Sequence, residues 1–460
     1  MKKFDLAVIG AGPAGMAAAS KAANLGLTVC LLDEQPAAGG QIYRDVDRVA
    51  PLRGDILGKE YTKGRRLTGA LDHPNVTYIP NAVVWSIEDG FEIIYSSNSV
   101  AAKVEASRII LATGAIERPM PIPGWTLAGV MTAGAGQILL KQSGMVAKEA
   151  VLVGSGPLLY LVAAQMVRAG RPPLALIETQ SRRDSAHAAK HFFRATMGWR
   201  TLLKGVGLLT AIWRGGVKRY VGATNVRIIG DQAVQSVEFT HKGQIRSIAC
   251  HTVFLHHGVI PNTQISRALE VQHAWDDDQL CFRPILDDMC RTSRDNIWVA
   301  GDGGGIAGAY AAELSGQISA LDVAICSGLV TRDEMSKHMQ KLHAKLATEL
   351  APRPFLDRAY PPYPQALSPS DETIICRCED VTAGDIRKFA ALGCMGPNQA
   401  KAFGRVGMGR CQGRNCGITV TKMLSDIHNQ TPDATGYFRI RPPLKPVTLG
   451  EIASMATDPD

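Results

Sequence analysis

Mostly apolar runs, closing on small residues or on an acid, recur through the first 330 residues. They are Phe4–Ile9, Leu27–Leu32, Ile109–Leu111, Ala150–Val153, Leu174–Ile177 and Ile297–Val299. Short runs of this kind read as parallel strands buried on both faces. Met16–Leu25, the stretch from Pro157 to Ala169, and Ala309–Ile325 read as helices between or behind them. Strands alternating with helices predict an α/β fold with two Rossmann-like units, one inserted in the other. The expected boundaries are 1–118 with 285–330 for the outer unit and 119–284 for the inserted one. Arg332–Leu350 reads as a charged helix, and six prolines in Ala351–Asp371 mark 331–371 as helix plus linker. A small helical module at 372–430 and a tail at 431–460 complete the division. Within the module, Thr382 is the expected N-cap of a helix with Asp385 at N3, and Gly417–Ile427 is a second helix.

Composition narrows the class. The chain has 460 residues, enough for two or three domains, and 46 glycines, which suits many tight strand-to-helix turns. Its net charge of +8 is spread along the chain, and no nucleic-acid recognition motif accompanies it. The apolar run Leu6–Ile9 stops at Gly10, too short for a secretory segment, and no run reaches the length of a membrane span. A reducing cytoplasm is the expected location, where clustered cysteines are metal ligands more often than disulfides. Cys30, Cys250, Cys281, Cys290, Cys326 and Cys394 are unclustered and read as small buried hydrophobes.

The turns after two strands carry chemistry. Gly10-Ala11-Gly12-Pro13-Ala14-Gly15 joins a strand to a helix, and the following strand ends in Asp33-Glu34. Gly10 permits the tight turn, Gly12 lets backbone approach a pyrophosphate, and Gly15 lets the helix pack on its strand. The helix N-terminus offers free N–H groups to phosphate. Asp33, with Glu34 sharing the role, is the expected ribose ligand. Gly154-Ser155-Gly156 repeats the pattern, but Leu159 replaces the third glycine, so that helix cannot sit as close. Glu178 ends the next strand and would accept a ribose 2′-hydroxyl while repelling a 2′-phosphate. This second fold either binds NAD(H), binds another nucleotide, or has lost its ligand.

Cysteines supply the third signal. Cys376 and Cys378 are separated by one residue, Cys411 and Cys416 by four, with 32 residues between the pairs. Four thiolates suit an iron–sulfur cluster. Zinc knuckles more often leave a two-residue gap, so zinc, or no metal, is the weaker reading. Cys416 precedes a helix whose N–H groups would stabilise thiolate. Arg377, Arg405, Arg410 and Arg414 would offset cluster charge, and Gly404, Gly407, Gly409 and Gly413 would let backbone wrap it. No Cys-x-x-Cys exists, which excludes thioredoxin reductase chemistry. No catalytic acid–base pair is evident; His251, His256 and His257 flank the strand-like Thr252–Leu255 and read as structural.

Residues 182–219 carry nine Lys or Arg and one acid, Asp184, interleaved with residues such as Phe193, Trp199 and Trp213. The stretch reads as a flap over the second unit or a partner-subunit interface, with membrane contact the least favoured.

The order Gly10–Gly15, Gly39-Gly40-Gln41, Ala112-Thr113-Gly114 and Gly301-Asp302 resembles the two-dinucleotide-binding flavoproteins that include thioredoxin reductase. That resemblance implies FAD held by Gly10, Gly12, Pro13, Ala14, Gly15, Asp33, Glu34, Gly40, Gln41, Thr113, Gly114, Gly301 and Asp302, with the Val84 backbone meeting adenine. Gly154, Gly156 and Glu178 would be the second nucleotide's contacts. The cysteine module resembles the bacterioferritin-associated ferredoxin fold, which implies a [2Fe–2S] cluster on Cys376, Cys378, Cys411 and Cys416. Together with Gly39-Gly-Gln-Ile-Tyr-Arg44 and the tail Arg439–Pro446, the whole resembles α subunits of heteromeric amino and imino acid dehydrogenases. These comprise opine oxidases, hydroxyproline and proline dehydrogenases, and hydrogen cyanide synthase. The resemblance implies a β-subunit flavoprotein that oxidises the substrate, FAD or an interfacial FMN that receives its electrons, the cluster as exit, and a small ferredoxin-like γ subunit as a further partner. A stand-alone NADH-dependent reductase is the rival reading.

Overall fold

The computed structural model describes residues 2–455; Met1 and residues 456–460 of the expected tail lie outside them. The first parallel sheet has the order Ile297–Val299, Ile109–Leu111, Leu6–Ile9, Val29–Leu32, Val76–Ile79. Leu6–Ile9 and Val29–Leu32 are buried at every position, which is why their sequence shows no alternation. Each large aliphatic side chain so placed contributes roughly 1.5–3 kcal/mol. On one face, helix Pro13–Asn24 lies against helix Ala309–Cys326. A Cβ on Gly316 would stand 2.1 Å from the Ala14 carbonyl oxygen, so only glycine allows this approach. The other face packs on a smaller sheet built from Lys2–Phe4, Val83–Ile87, Glu92–Ser97 and Val100–Ala106.

A second five-stranded parallel sheet runs Val130–Thr132, Thr252–His256, Ala150–Gly154, Ala175–Glu178, Lys218–Val221. An antiparallel sheet of Thr224–Gly230, Val234–His241 and Gln244–Ala249 shares its core through Val226, Val237 and Phe239. Leu159 is fully buried in the cluster with Leu152 and Phe254 and fills the space that a glycine would leave. The chain enters and leaves this unit along one antiparallel ribbon, Ala115–Glu117 on Val259–Pro261.

The structure moves two expected boundaries. Return to the first unit comes near residue 261, not 284: partly buried Ile265 and Leu269 and fully buried Val271 pack with Ala7, Ile9 and Leu32. Hydrophobic periodicity could not register this, because the segment is a short helix and a hairpin with few large residues. The proline-rich stretch is also not an open linker. Arg353–Ala359 and Pro364–Leu367 form short helices, and Tyr363 and Ala366 are buried in the second unit's core. Pro354 and Pro364 lie in the first turns of these helices, where the missing N–H costs nothing.

The C-terminal module pairs Ile374–Cys376 with Val381–Thr382 and adds helices Ala383–Ala391, Pro397–Gly404 and Gly417–Ile427. Thr382 and Asp385 form the expected capping box. Ile386, Ala400, Val420, Leu424 and Phe438 close a separate small core.

Candidate functional site

The first glycine turn meets three other motifs at the carboxyl ends of the central strands. Gly10 has φ +104°, and a Cβ there would sit 2.4 Å from the Ala112 carbonyl oxygen. A Cβ on Gly15 would lie 1.8 Å from the Gly10 oxygen. The two glycine motifs are pressed together: Gly39 N–H donates to the Ala11 carbonyl at 2.8 Å, and a Cβ on Gly40 would stand 2.8 Å from Gly12 Cα. Gly12 itself faces open space, with nothing closer than 3.9 Å to a Cβ built there. Gly301 abuts Ala14, and Gly303 lies beside Thr113 and Gly114. Asp302 accepts from Ala307 and Gly308 N–H at 2.9 and 3.0 Å, just before helix Ala309–Cys326. Pro13 opens the first helix, whose N-terminal N–H groups have no side-chain cap. A glycine-lined groove at helix N-termini and strand ends fits a dinucleotide's pyrophosphate.

The two acids divide the work differently than expected. Asp33 is 6% exposed, and its carboxylate braces the turn by accepting from Ala11 and Gln35 N–H groups. Burial pushes its pKa up, against those bonds. Glu34 is the solvent-facing acid and pairs with Lys445 of the tail at 2.7 Å. Burial would raise its pKa, but Lys445, then Arg414 and Gln35, together hold it below the usual carboxylate range. Of the two acids, Glu34 is therefore the one whose carboxylate faces outward. Gln41 holds its loop in place: its side chain accepts from Arg44 at 2.9 Å and its carbonyl from Lys141 at 2.8 Å. Lys141 is buried, and burial followed by the nearby Arg44 charge lowers its pKa to about 7. Val84 is buried, and the neighbouring Trp85 carbonyl accepts from Leu444 N–H at 2.7 Å, so the tail lines the expected adenine end.

The second glycine turn is closed by the chain itself. A Cβ on Gly154 would stand 1.7 Å from the His256 carbonyl oxygen, and the His256 ring lies under Gly156. Ser155 Oγ donates to the Pro361 carbonyl at 2.9 Å. The Tyr360 ring meets the Tyr160 ring edge-on at 5.7 Å, and Tyr363 N–H donates to His257 Nδ1 at 3.1 Å. Glu178, expected to hold ribose, is fully buried. Arg219 clamps it with two bonds of 2.9 Å, and Tyr160 and Gln180 also donate to it. Its acceptors are spent inside the fold, which corrects the ribose role read from its position. Burial and the Glu178 charge raise the Tyr160 pKa, so it stays a donor. His257 is buried and its pKa is well below normal, through burial first and Arg118 second. His256 Nδ1 meets Glu117 Oε1 at 2.7 Å, in keeping with a structural role.

The four clustered cysteines come together. The Cys376 and Cys416 thiols lie close enough to influence each other's titration, as do those of Cys378 and Cys411. The Cys416 thiol and the N–H groups of Gly407, Glu379 and Cys378 bring the Cys376 pKa down to about 6. Cys416 stands at the N-terminus of helix Gly417–Ile427 as expected, without a side-chain capping bond. Among the described residues no group of three or more His, Cys, Asp or Glu is arranged around a single metal ion. Two sulfur pairs fit the donor chemistry of a two-iron cluster, one pair per iron. Of the four glycines, Gly409 touches a ligand: a Cβ there would be 2.2 Å from Cys378 Cβ. Gly407 and Gly413 instead make room for Phe438, and Gly404 for Phe389. Arg405 pairs with Glu379 at 2.9 Å and Arg377 lies over Trp125, while Arg414 donates to the Leu444 carbonyl at 3.1 Å. Outside the cluster, Cys326 is exposed, unlike its expected burial.

Two joints that no motif signalled tie this module to the first glycine site. Thr113 Oγ1 donates to the Asn262 carbonyl at 2.9 Å, and Asn262 N–H donates to the Gly114 carbonyl at 2.9 Å. Two residues on, Gln264 Nε2 reaches the Cys411 and Gln412 carbonyls at 3.5 and 3.4 Å. Nearby, the Arg267 guanidinium is held between Phe282 and Tyr437, 4.8 and 4.2 Å from their ring centroids.

Residues 4–328 match the pyridine nucleotide-disulphide oxidoreductase family, and 370–456 match the sarcosine oxidase A3 domain. The opine oxidase A subunit of Agrobacterium tumefaciens is 45% identical, across 98% of this chain and 92% of that protein. Hydrogen cyanide synthase subunit HcnB of Pseudomonas protegens is 31% identical, across 96% and 95%. The crystal structure of L-proline dehydrogenase from P. horikoshii shares the fold with a TM-score of 0.73 at 19% identity, over 98% of this chain and 79% of that one.

Proposed function

We infer the function from one premise: this chain belongs to the pyridine nucleotide-disulphide oxidoreductase family, and within it to the group of opine oxidase A subunits. It is a flavin oxidoreductase and a subunit of a heteromeric dehydrogenase. The finer reading is electron transfer. A partner β subunit oxidises an amino or imino acid of the opine, hydroxyproline, proline or glycine type, and this chain carries the electrons away. A flavin accepts an electron pair and releases it singly, while a two-iron cluster carries one electron at a time.

The chain's own residues supply the setting. Gly12 leaves room for pyrophosphate, with Gly40 packed against its backbone, Glu34 presents its carboxylate to ribose, and Asp302 stands before the helix that would face the flavin. Cys376, Cys378, Cys411 and Cys416 would hold the cluster. The carrying observation is the short bonded route Gly114–Asn262–Gln264–Cys411, which joins the flavin groove to a cysteine backbone. The covered second turn favours this reading over an NADH-dependent reductase, because a nicotinamide donor would have to displace Tyr360–Tyr363. Interfacial FMN and a ferredoxin-like γ subunit stay within the proposal.

Co-expression with the partner flavoprotein subunit tests it. The purified complex should reduce its flavin with one member of an opine, D-hydroxyproline, proline and glycine panel, whereas this chain alone should respond to none. Reduction of the isolated chain by any of these amino acids would contradict a partner-held substrate site.

A further inference from the structure

The basic stretch 182–219 does something that the electron-transfer reading leaves unused. Its main helix, Trp199–Arg214, has two apolar faces. Leu208 and Ile212 turn inward and pack with the second unit's core, beside helix Pro157–Arg168. This inner face is the flap expected from sequence. Trp199, Leu203, Val206 and Trp213 recur at spacings of four, three and seven, which places them on one stripe of the opposite side. They are 55%, 59%, 60% and 76% exposed. Phe193, at 87%, and Met197, at 59%, extend the stripe toward the preceding short helix.

Charge marks the border. On a helical projection Arg214, Arg200 and Lys204 follow one another along one edge of the stripe, and Arg194 adds a fourth cation near Phe193. Asp184, the one acid of the stretch, is spent capping helix Arg182–Ala189, and Glu349 of the neighbouring helix lies near Arg200. An outward stripe of Trp, Leu, Val and Phe edged by Lys and Arg is the pattern of a helix that lies in a lipid interface. Tryptophan prefers the headgroup level because its ring is apolar and its N–H is polar. Among the described residues no helix is long and apolar enough to cross a membrane, so contact here would be with its surface.

We propose that helix Trp199–Arg214 and the Phe193–Met197 segment dock the protein on an anionic lipid surface. The cationic edge complements acidic headgroups, and the stripe enters the boundary between headgroups and acyl chains. The inward face keeps the helix fixed to the second unit, so docking requires no unfolding. Docking of this kind is independent of which cofactors the chain carries.

Cosedimentation with vesicles of phosphatidylglycerol and phosphatidylcholine tests it, on the purified chain and on its complex with the partner subunit. Binding is expected to mixed vesicles, to weaken at least tenfold on pure phosphatidylcholine, and to fall with added salt. R200Q with K204Q should lower the partition coefficient about 30-fold, at about 1 kcal/mol per basic residue. W213S should also lower it, with unchanged thermal unfolding, whereas I245S, at an exposed apolar residue of the three-stranded sheet, should not. Brominated lipid should quench tryptophan emission in the wild type and much less in W199F/W213F. Absence of wild-type binding, binding unaffected by these substitutions, or loss of quenching once the partner subunit is bound would overturn the proposal. The last result would mean that the stripe is a protein interface.

Discussion

The two glycine turns are built from one plan and end in opposite states. Each follows a buried parallel strand, opens a helix with proline, and is faced by an acid at the end of the next strand. In the first, Gly15 draws the helix in, and Glu34 stays on the surface. In the second, Leu159 fills that space, Glu178 is clamped by Arg219, and the chain's own Tyr360–Tyr363 lies over the turn. The second turn is thus covered by the chain itself while it keeps the strand-glycine-helix pattern. The change lies in which groups already occupy the donors and acceptors that a ligand would need.

Substitutions at matched places sharpen this contrast. The largest effect is expected for Gly15→Ala, whose Cβ would meet the Gly10 carbonyl at 1.8 Å, a backbone atom that cannot swing away. The purified protein should lose its bound flavin, read from visible absorbance, or fail to fold; full retention of yellow colour would refute the close-packed turn. Arg219→Ala should cost about 3–5 kcal/mol in urea unfolding, because Glu178 is left buried without its charge partner. Arg219 is partly exposed, so the lower end of that range is expected. A change within experimental error would mean that water already serves Glu178.

Acid should loosen the second region. His257 accepts the Tyr363 N–H only while neutral, and its folded pKa lies well below the ordinary 6.5. His273, which belongs to the first unit, behaves likewise, with a folded pKa of about 3 through burial and then Arg267. A depressed pKa means that the unfolded chain binds more protons, so these groups stabilise fully above pH 6.5 and progressively less below it. Urea midpoints should fall between pH 7 and 5, and hydrogen exchange around 360–366 should rise first. The smallest effect belongs to Lys445→Ala. Its pair with Glu34 is part-exposed and worth under about 1 kcal/mol, less in salt. Glu34 has a lowered pKa, so that contribution exists above the ordinary carboxylate pKa and disappears as pH falls through the folded value. Flavin affinity should shift a fewfold at low ionic strength and converge with wild type at high salt.

Sequence patterns located most of the fold because its central strands are buried on both faces and its turns demand glycine. The same logic placed Thr382 as a cap and Cys416 at a helix start, since capping chemistry is local. What stayed hidden was long-range. Nothing local to Glu178 signals Arg219, 41 residues away, and no pattern ties Ser155 to Pro361 across 206 residues. Asp33 and Glu34 look interchangeable in sequence, and only the bond to Ala11 N–H separates the brace from the outward acid. Proline spacing suggested a free linker, because proline marks helix starts and loops alike. Gln264 carried no motif at all, although it joins Asn262 to Cys411.

The central claim is that electrons enter this chain from a partner and leave through the cysteine module, not from a nicotinamide bound at the second turn. Anaerobic mixing of the purified chain with excess NADH, followed by dithionite, tests it in one cuvette. NADH should leave the flavin absorbance unchanged, and dithionite should then bleach it and raise a [2Fe–2S] resonance that Cys411→Ser lacks. Rapid bleaching by NADH, or a reduced sample without that resonance, would contradict the account.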